Sequence, residues 1–169
     1  SNPCIGLGKL PPDKKEVNYW TLDDFRLFAT TLRKPTHIMI FYLLFWTGIR
    51  IGEALAITWD DVDLEQNTIN INKTLTRLDR EDIITPPKTD NSNRLVFLPQ
   101  FIADMLKDYK RMSQYNGDMV FNITRDSVFL KLRKSSNKLG LKPIRIHDLR
   151  HSHASLLINA GFSPIEVAD

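Results

Sequence analysis

The stretch "IMIFYLLFW", Ile38 to Trp46, is apolar throughout. A helix that is apolar on every side belongs in the middle of a fold. A central buried helix is therefore expected, starting at Pro35 and stopping at Gly48, a residue suited to a helix C-cap. Before it, Leu22, Phe25 and Leu32 line one helical face behind Thr21, and Thr21 with Asp24 three residues on makes a capping signature. After it, roughly Arg50 to Ala56 fits a short helix. The period then changes. "NTININ" and "KTLTR" alternate and are rich in Thr and Ile, as a strand would be, and "DIITP" and "RLVFLP" suit two more. Helical spacing returns from Pro99 to about Gln114. It recurs from about Ser127 to Lys138 ahead of Gly140, and from about His147 to Ala160 ahead of Gly161. Ser163 and Pro164 open a last helix. The expected class is mainly α with a small three-stranded antiparallel sheet, in one domain over residues 19–169. Residues 1–18, "SNPCIGLGKLPPDKKEVN", have no period and suit a linker or N-terminal arm.

Composition changes this picture little. The 169 residues are 42% hydrophobic and 25% charged, ordinary for a globular domain. The apolar run is too short to span a bilayer, so no membrane partner is expected. The single cysteine, Cys4, excludes an intrachain disulfide framework. With no leader pattern at the start, a cytoplasmic location is expected. Ser1 in place of Met suggests a piece of a longer protein.

Charge distribution says more than net charge. The total is +3, yet residues 125–145 hold seven Lys or Arg against Asp126 alone. A basic stripe of this kind suits a polyanion, and Lys131, Arg133, Lys134, Lys138 and Lys142 are candidates for phosphate contacts. A solvated helix face is the plainer alternative for the same stripe.

Three constellations could carry chemistry. In "IRIHDLRHSHASLL", His147 and Arg150 share a helical face, while Leu149, His153, Leu156, Leu157 and Ala160 fall at core spacing. The pair sits where a helix start offers free N–H groups and a favourable dipole, so it could grip a phosphate. His147 and His151 at i and i+4 could instead share a metal, but no Glu follows His147, Cys4 offers little further ligation, and no metal is expected. In "TGIRIGEAL", Gly48 permits a sharp turn, and Glu53 could lock the Arg50 guanidinium or form a plain surface ion pair. In "TPPKTDNSNR", two prolines unfit for a ladder should make the tip project, carrying Lys88. "DDVD" at 60–63 is the only acidic cluster and lies apart from these motifs, which argues against a metal-dependent nuclease.

"TGIRIGE", "PPKTDNSNR" and "IRIHDLRHSHASLL" occur in this order, flanked by "EVNYWTLDDF" and "LLINAGFSPIEVAD". Together they closely resemble the signature regions of the tyrosine recombinase (phage integrase) catalytic domain, from about residue 16 onward. The resemblance implies that fold and a DNA recombinase working through a 3′-phosphotyrosyl intermediate. It implies that Arg50 and Arg150 are the paired catalytic arginines, His147 the second-box histidine and Lys88 the general acid. Glu53 would support Arg50, and His151 would support the second box. Arg94 joins the lysines of the basic stripe as a candidate DNA contact. No cofactor is implied; the partners are double-stranded DNA and, for the whole protein, a homotetramer on it. The family's later His or Trp and its nucleophilic Tyr have no counterpart here. Tyr19, Tyr42, Tyr109 and Tyr115 all precede His147, so this stretch alone is expected to be inactive. A non-catalytic DNA-binding or regulatory protein retaining the fold is the alternative.

Overall fold

The computed structural model describes residues 17–87 and 93–168. Helix α1 (Leu22–Ala29) opens as the sequence suggests. The Thr21 hydroxyl accepts from the N–H of Asp24, and the Asp24 carboxylate accepts from the N–H of Thr21. Helix α2 (Pro35–Thr47) has its proline in the first turn and ends on Gly48, which adopts the left-handed conformation at φ 69°. Its Met39, Ile40, Phe41, Leu43, Leu44 and Phe45 are all buried. Phe25 of α1 stacks on Phe45 at 4.1 Å, and Phe28 meets Phe41 edge-on at 4.8 Å. Such aromatic pairs add to the burial of large apolar faces and fix α1 against α2.

Helix α3 (Ile51–Ala56) follows directly, then a single 3₁₀ turn at Trp59–Asp61. Five strands come next: β1 (Val62–Asp63), β2 (Thr68–Ile71), β3 (Thr74–Leu78), β4 (Glu81–Thr85) and β5 (Arg94–Phe97). Helices α4 (Gln100–Met112), α5 (Arg125–Leu139), α6 (Asp148–Asn159) and α7 (Pro164–Ala168) complete the described residues. Helix α2 packs against α3, α4 and α6, which explains why it has no polar face. Among the described residues no helix is long and apolar enough to cross a membrane.

The expected class, mainly helical with a small three-stranded antiparallel sheet, holds, but the strand text is divided differently. The sequence suggests one sheet of about three strands; the structure has a three-stranded sheet, β1-β2-β5, and a separate hairpin, β3-β4. Ile69 lies opposite Val96 and Ile71 opposite Arg94, whereas Leu75 lies opposite Ile84. What looks like continuous strand text is broken at Asn72-Lys73. Asn72 donates to Asp61 Oδ1 at 3.0 Å, and the Lys73 ammonium pairs with Asp61 Oδ2. Asp61 Oδ2 also accepts from the Thr58 N–H and hydroxyl, each at 2.9 Å. The backbone must swerve to make these bonds, so β3 leaves the first sheet and packs on α3. The "DDVD" cluster is thus partly spent on a structural tie. The β3-β4 turn places Asp79 and Arg80 at φ 50° and 70°, the left-handed pair that a two-residue hairpin loop demands.

At the start of the described chain, the Trp20 backbone N–H donates to Ser152 Oγ of α6 at 2.9 Å, and its indole donates to the Lys142 carbonyl at 2.8 Å. Trp20 is buried, so the segment entering α1 is pinned to the helix that carries Arg150.

Candidate functional site

Arg50 is presented by a turn with little freedom. Helix α2 stops at Gly48, Ile49 drops back into the core, and Arg50 emerges as the N-cap of α3. Glu53 organises what surrounds it. Its Oε2 accepts from the Arg50 N–H at 2.9 Å, and its Oε1 meets Arg50 Nη1 at 3.4 Å. The stronger bond is to Arg94, whose Nη1 and Nη2 each lie 2.9 Å from the two carboxylate oxygens. This is the parallel, two-point geometry in which Arg and carboxylate bind best. The Glu53 side chain is 7% exposed, against 55% for Arg50 and 31% for Arg94. Burial alone would raise the Glu53 carboxyl pKa. The Arg94 bonds, the Arg50 N–H and both guanidinium charges outweigh it and hold the carboxyl below its usual range.

Arg150 comes to the same place from α6. Burial, then the Arg50 charge, depress its pKa; Glu53 opposes and Arg94 adds to the depression. Arginine nevertheless remains a cation in proteins. Three guanidinium groups therefore surround one carboxylate, a local surplus of positive charge. Arg150 Nη1 is buried and, among the described residues, has no hydrogen-bond partner. A buried charged donor without an acceptor is costly, and an anion entering the site would relieve that cost.

The start of α6 differs from expectation. His147 and Arg150 were expected beside free N–H groups, but those groups are taken. The N–H groups of Asp148, Leu149 and Arg150 donate to the carbonyls of Arg145, Ile146 and His147, each at 3.0 Å. The Asp148 carboxylate reaches back to the Arg145 N–H at 2.8 Å and to its guanidinium at 3.1 Å. The pattern acid-three-after is a capping signature, so "RIHD" carried this signal. Anion binding here falls to side chains. His147 is exposed at the N-cap, with its ring edge-on to His151 at 5.3 Å between centroids. Partial burial, then His151 and Arg150, lower its pKa, so near neutrality it is an uncharged donor. Among the described residues no group of three His, Cys, Asp or Glu comes together as metal ligands would.

The remaining candidates divide. Arg133, Lys134, Lys138 and Lys142 are exposed. Arg133 lines one hollow with Phe129 and Arg145, beside the α6 cap. Lys131 is engaged, donating to the Thr31 carbonyl at 2.9 Å. Arg94 is taken up by Glu53, 41 positions away, as described. No local signal announces that pairing. Lys88 lies outside the described residues. His153, expected at core spacing, is only partly buried, and its Nδ1 lies 2.9 Å from the Phe45 carbonyl.

Gly48 is required twice over. Its φ is positive, and a Cβ there would fall 2.6 Å from His153 Cδ2. Gly48→Ala is expected to destabilise the domain by about 2 kcal/mol, seen as a lower midpoint in urea or thermal unfolding.

Fold and site define a mainly helical domain with an anion-directed arginine cluster braced by a buried carboxylate. Comparison with known proteins places it more closely. Residues 23–169 match the phage integrase family. The ICEBs1 integrase of Bacillus subtilis (strain 168) is 30% identical over 185 residues, covering 99% of this chain and 50% of the relative. The integrase of Mycobacterium phage D29 is 26% identical, covering 98% of this chain and 47% of the relative. Among solved structures, the Tn1549 transposon integrase in complex with a circular intermediate DNA superposes with a TM-score of 0.78 at 18% identity, over 94% of this chain and 58% of that one. XerA recombinase does so with a TM-score of 0.70 at 22% identity, over 89% and 54%. The chain belongs to the phage integrase family and corresponds to the tyrosine recombinase catalytic domain. It spans about half the length of the curated relatives it matches.

Proposed function

We propose that the full-length protein is a site-specific DNA recombinase that cuts and rejoins strands by phosphoryl transfer. The observation that carries this reading is Arg150 Nη1, buried beside Arg50 and with no hydrogen-bond partner among the described residues. Two guanidinium groups and a neutral imidazole, His147, can hold the non-bridging oxygens of a phosphodiester and stabilise the charge that builds on them. A tyrosine hydroxyl attacks phosphorus, giving up its proton and forming a 3′-phosphotyrosyl bond, while the P–O5′ bond breaks and the 5′ oxygen leaves with a proton from Lys88. The covalent intermediate conserves the bond for rejoining to another strand. Glu53 orients Arg50 and is itself fixed by Arg94; His151 stands beside His147. The reaction takes place on double-stranded DNA within a homotetramer.

The nucleophile does not come from the tyrosines in this chain. Tyr109 is buried and donates to the Val120 carbonyl at 3.0 Å, and Tyr42 packs edge-on against Phe25. Tyr19 and Tyr115 match no family position. The full-length protein should form a covalent protein–DNA adduct on a suicide duplex, visible as a shifted denaturing-gel band. The 169-residue chain alone should form none. An adduct with the isolated chain would overturn the nucleophile assignment, and none with the full-length protein would overturn the function.

DNA affinity in the isolated chain should rest on phosphate contacts by Arg133, Lys134, Lys138 and Lys142. Four such contacts imply a slope of log K against log salt of roughly −3.6, or about a hundredfold loss between 50 and 200 mM. Fluorescence anisotropy with a labelled duplex checks this, and Lys138→Ala should flatten the slope by about 1.

A further inference from the structure

Helix α6 carries Arg150 and, one turn later, His153. The Phe45 carbonyl that meets His153 Nδ1 at 2.9 Å can only accept, so Nδ1 bears the hydrogen. Phe45 lies in the last turn of α2, where carbonyls lack intrahelical partners; Leu44 is served by the Gly48 N–H, and Phe45 by His153. The other side of the imidazole presses on Gly48, where even a methyl group would collide with Cδ2. The ring is thus wedged into the turn that releases the chain toward Arg50, two residues further on.

We propose that His153 is a positioning residue for the catalytic arginines, joining the Arg150 helix to the turn that presents Arg50. This inference rests on the recombinase reading above. Something uncharged must hold these two elements together, because the arginines they carry repel one another. An apolar side chain could fill the space but would strand the Phe45 carbonyl. The turn could then relax and widen the gap between the guanidinium groups. Burial, and the Arg150 charge, disfavour the imidazolium form, although the Phe45 bond works the other way. A neutral ring adds no fourth cation to the three arginines of the cluster.

The chemistry of the bond supplies the test. Asparagine places an amide donor as many bonds from Cα as Nδ1, glutamine places it one bond farther, and phenylalanine has none. His153→Asn, His153→Gln and His153→Phe are made in the full-length protein. Cleavage of a suicide duplex carrying its recombination site is measured in single turnover, with duplex Kd and thermal midpoint recorded for each. Misplacing an arginine by about 1 Å should slow cleavage about a hundredfold in the Gln and Phe variants, with Kd and the Asn variant staying within about threefold of wild type. Equal rates for the Asn and Gln variants would overturn the inference, as would a rate loss that merely follows the melting temperature. Should the Phe variant not fold, the Asn and Gln pair decides alone. If wild type cleaves and all variants match it, only the role of His153 falls. If wild type never cleaves, the recombinase reading falls and this inference with it.

Discussion

Replacing Arg150 by alanine in the full-length protein is expected to slow strand cleavage by about 10³-fold or more while the domain stays folded. The size follows from what arginine does in phosphoryl transfer: it meets charge that grows on the equatorial oxygens, where a preorganised cation counts most. The unchanged fold follows from this structure. Among the described residues Arg150 Nη1 makes no bond that folding could lose, and the cation is crowded by Arg50 and Arg94. Removing it relieves repulsion, so the unfolding midpoint should stay level or rise, the usual exchange between stability and activity at a site. Arg150→Lys should keep charge but lose the fork, recovering only part of the rate. Single-turnover cleavage together with urea unfolding separates these outcomes. Cleavage at the wild-type rate, or a variant that unfolds, would contradict the assignment.

Glu53→Ala is expected to act through stability. Its carboxylate is buried and binds Arg94 at two points and Arg50 through backbone and side chain. Removing one partner of a buried, bonded pair costs about 3 kcal/mol or more. In a domain of this size the melting temperature should fall by roughly 6–12 °C. Glu53→Gln keeps the shape and loses the charge, so it should cost less at neutral pH. The pH dependence is specific. The folded-state carboxyl pKa is depressed, so the stabilisation is complete above the unfolded value, about 4.3, and is lost as pH falls through the folded value. The gap between wild type and Glu53→Gln, measured by urea unfolding, should therefore be widest near neutrality and shrink toward pH 3. A gap that does not vary with pH would show that the carboxylate charge plays no part.

The helices of this domain are legible in the sequence because their signals are local. Thr21 with Asp24, Pro35 with Gly48, and Gly140 mark helix limits by capping chemistry that acts within a few residues, whereas the Thr124 cap starts α5 at Arg125, ahead of the expected Ser127. Strand partners are not local. Alternation in "NTININKTLTR" specifies extended chain but not which strand it joins, and Asp61 breaks the run through side chains some ten positions away. The site divides in the same way. Arg50, Glu53, His147 and Arg150 lie in short stretches whose residue types betray them. Arg94 was visible as a basic residue, yet its bond to Glu53 emerges only from folding. The N–H groups at the start of α6 are not free, because the chain enters that helix through a tight turn that satisfies them first.

The Glu53–Arg94 fork is also a seam between two parts, a helical frame and a strand-rich insert. Chimeras that exchange the insert, residues 57–98, among related integrases should work only when the donor brings arginine at position 94. Donors lacking it would leave the host glutamate with Arg50 alone and without its two-point partner, and compatibility could be screened by that one letter.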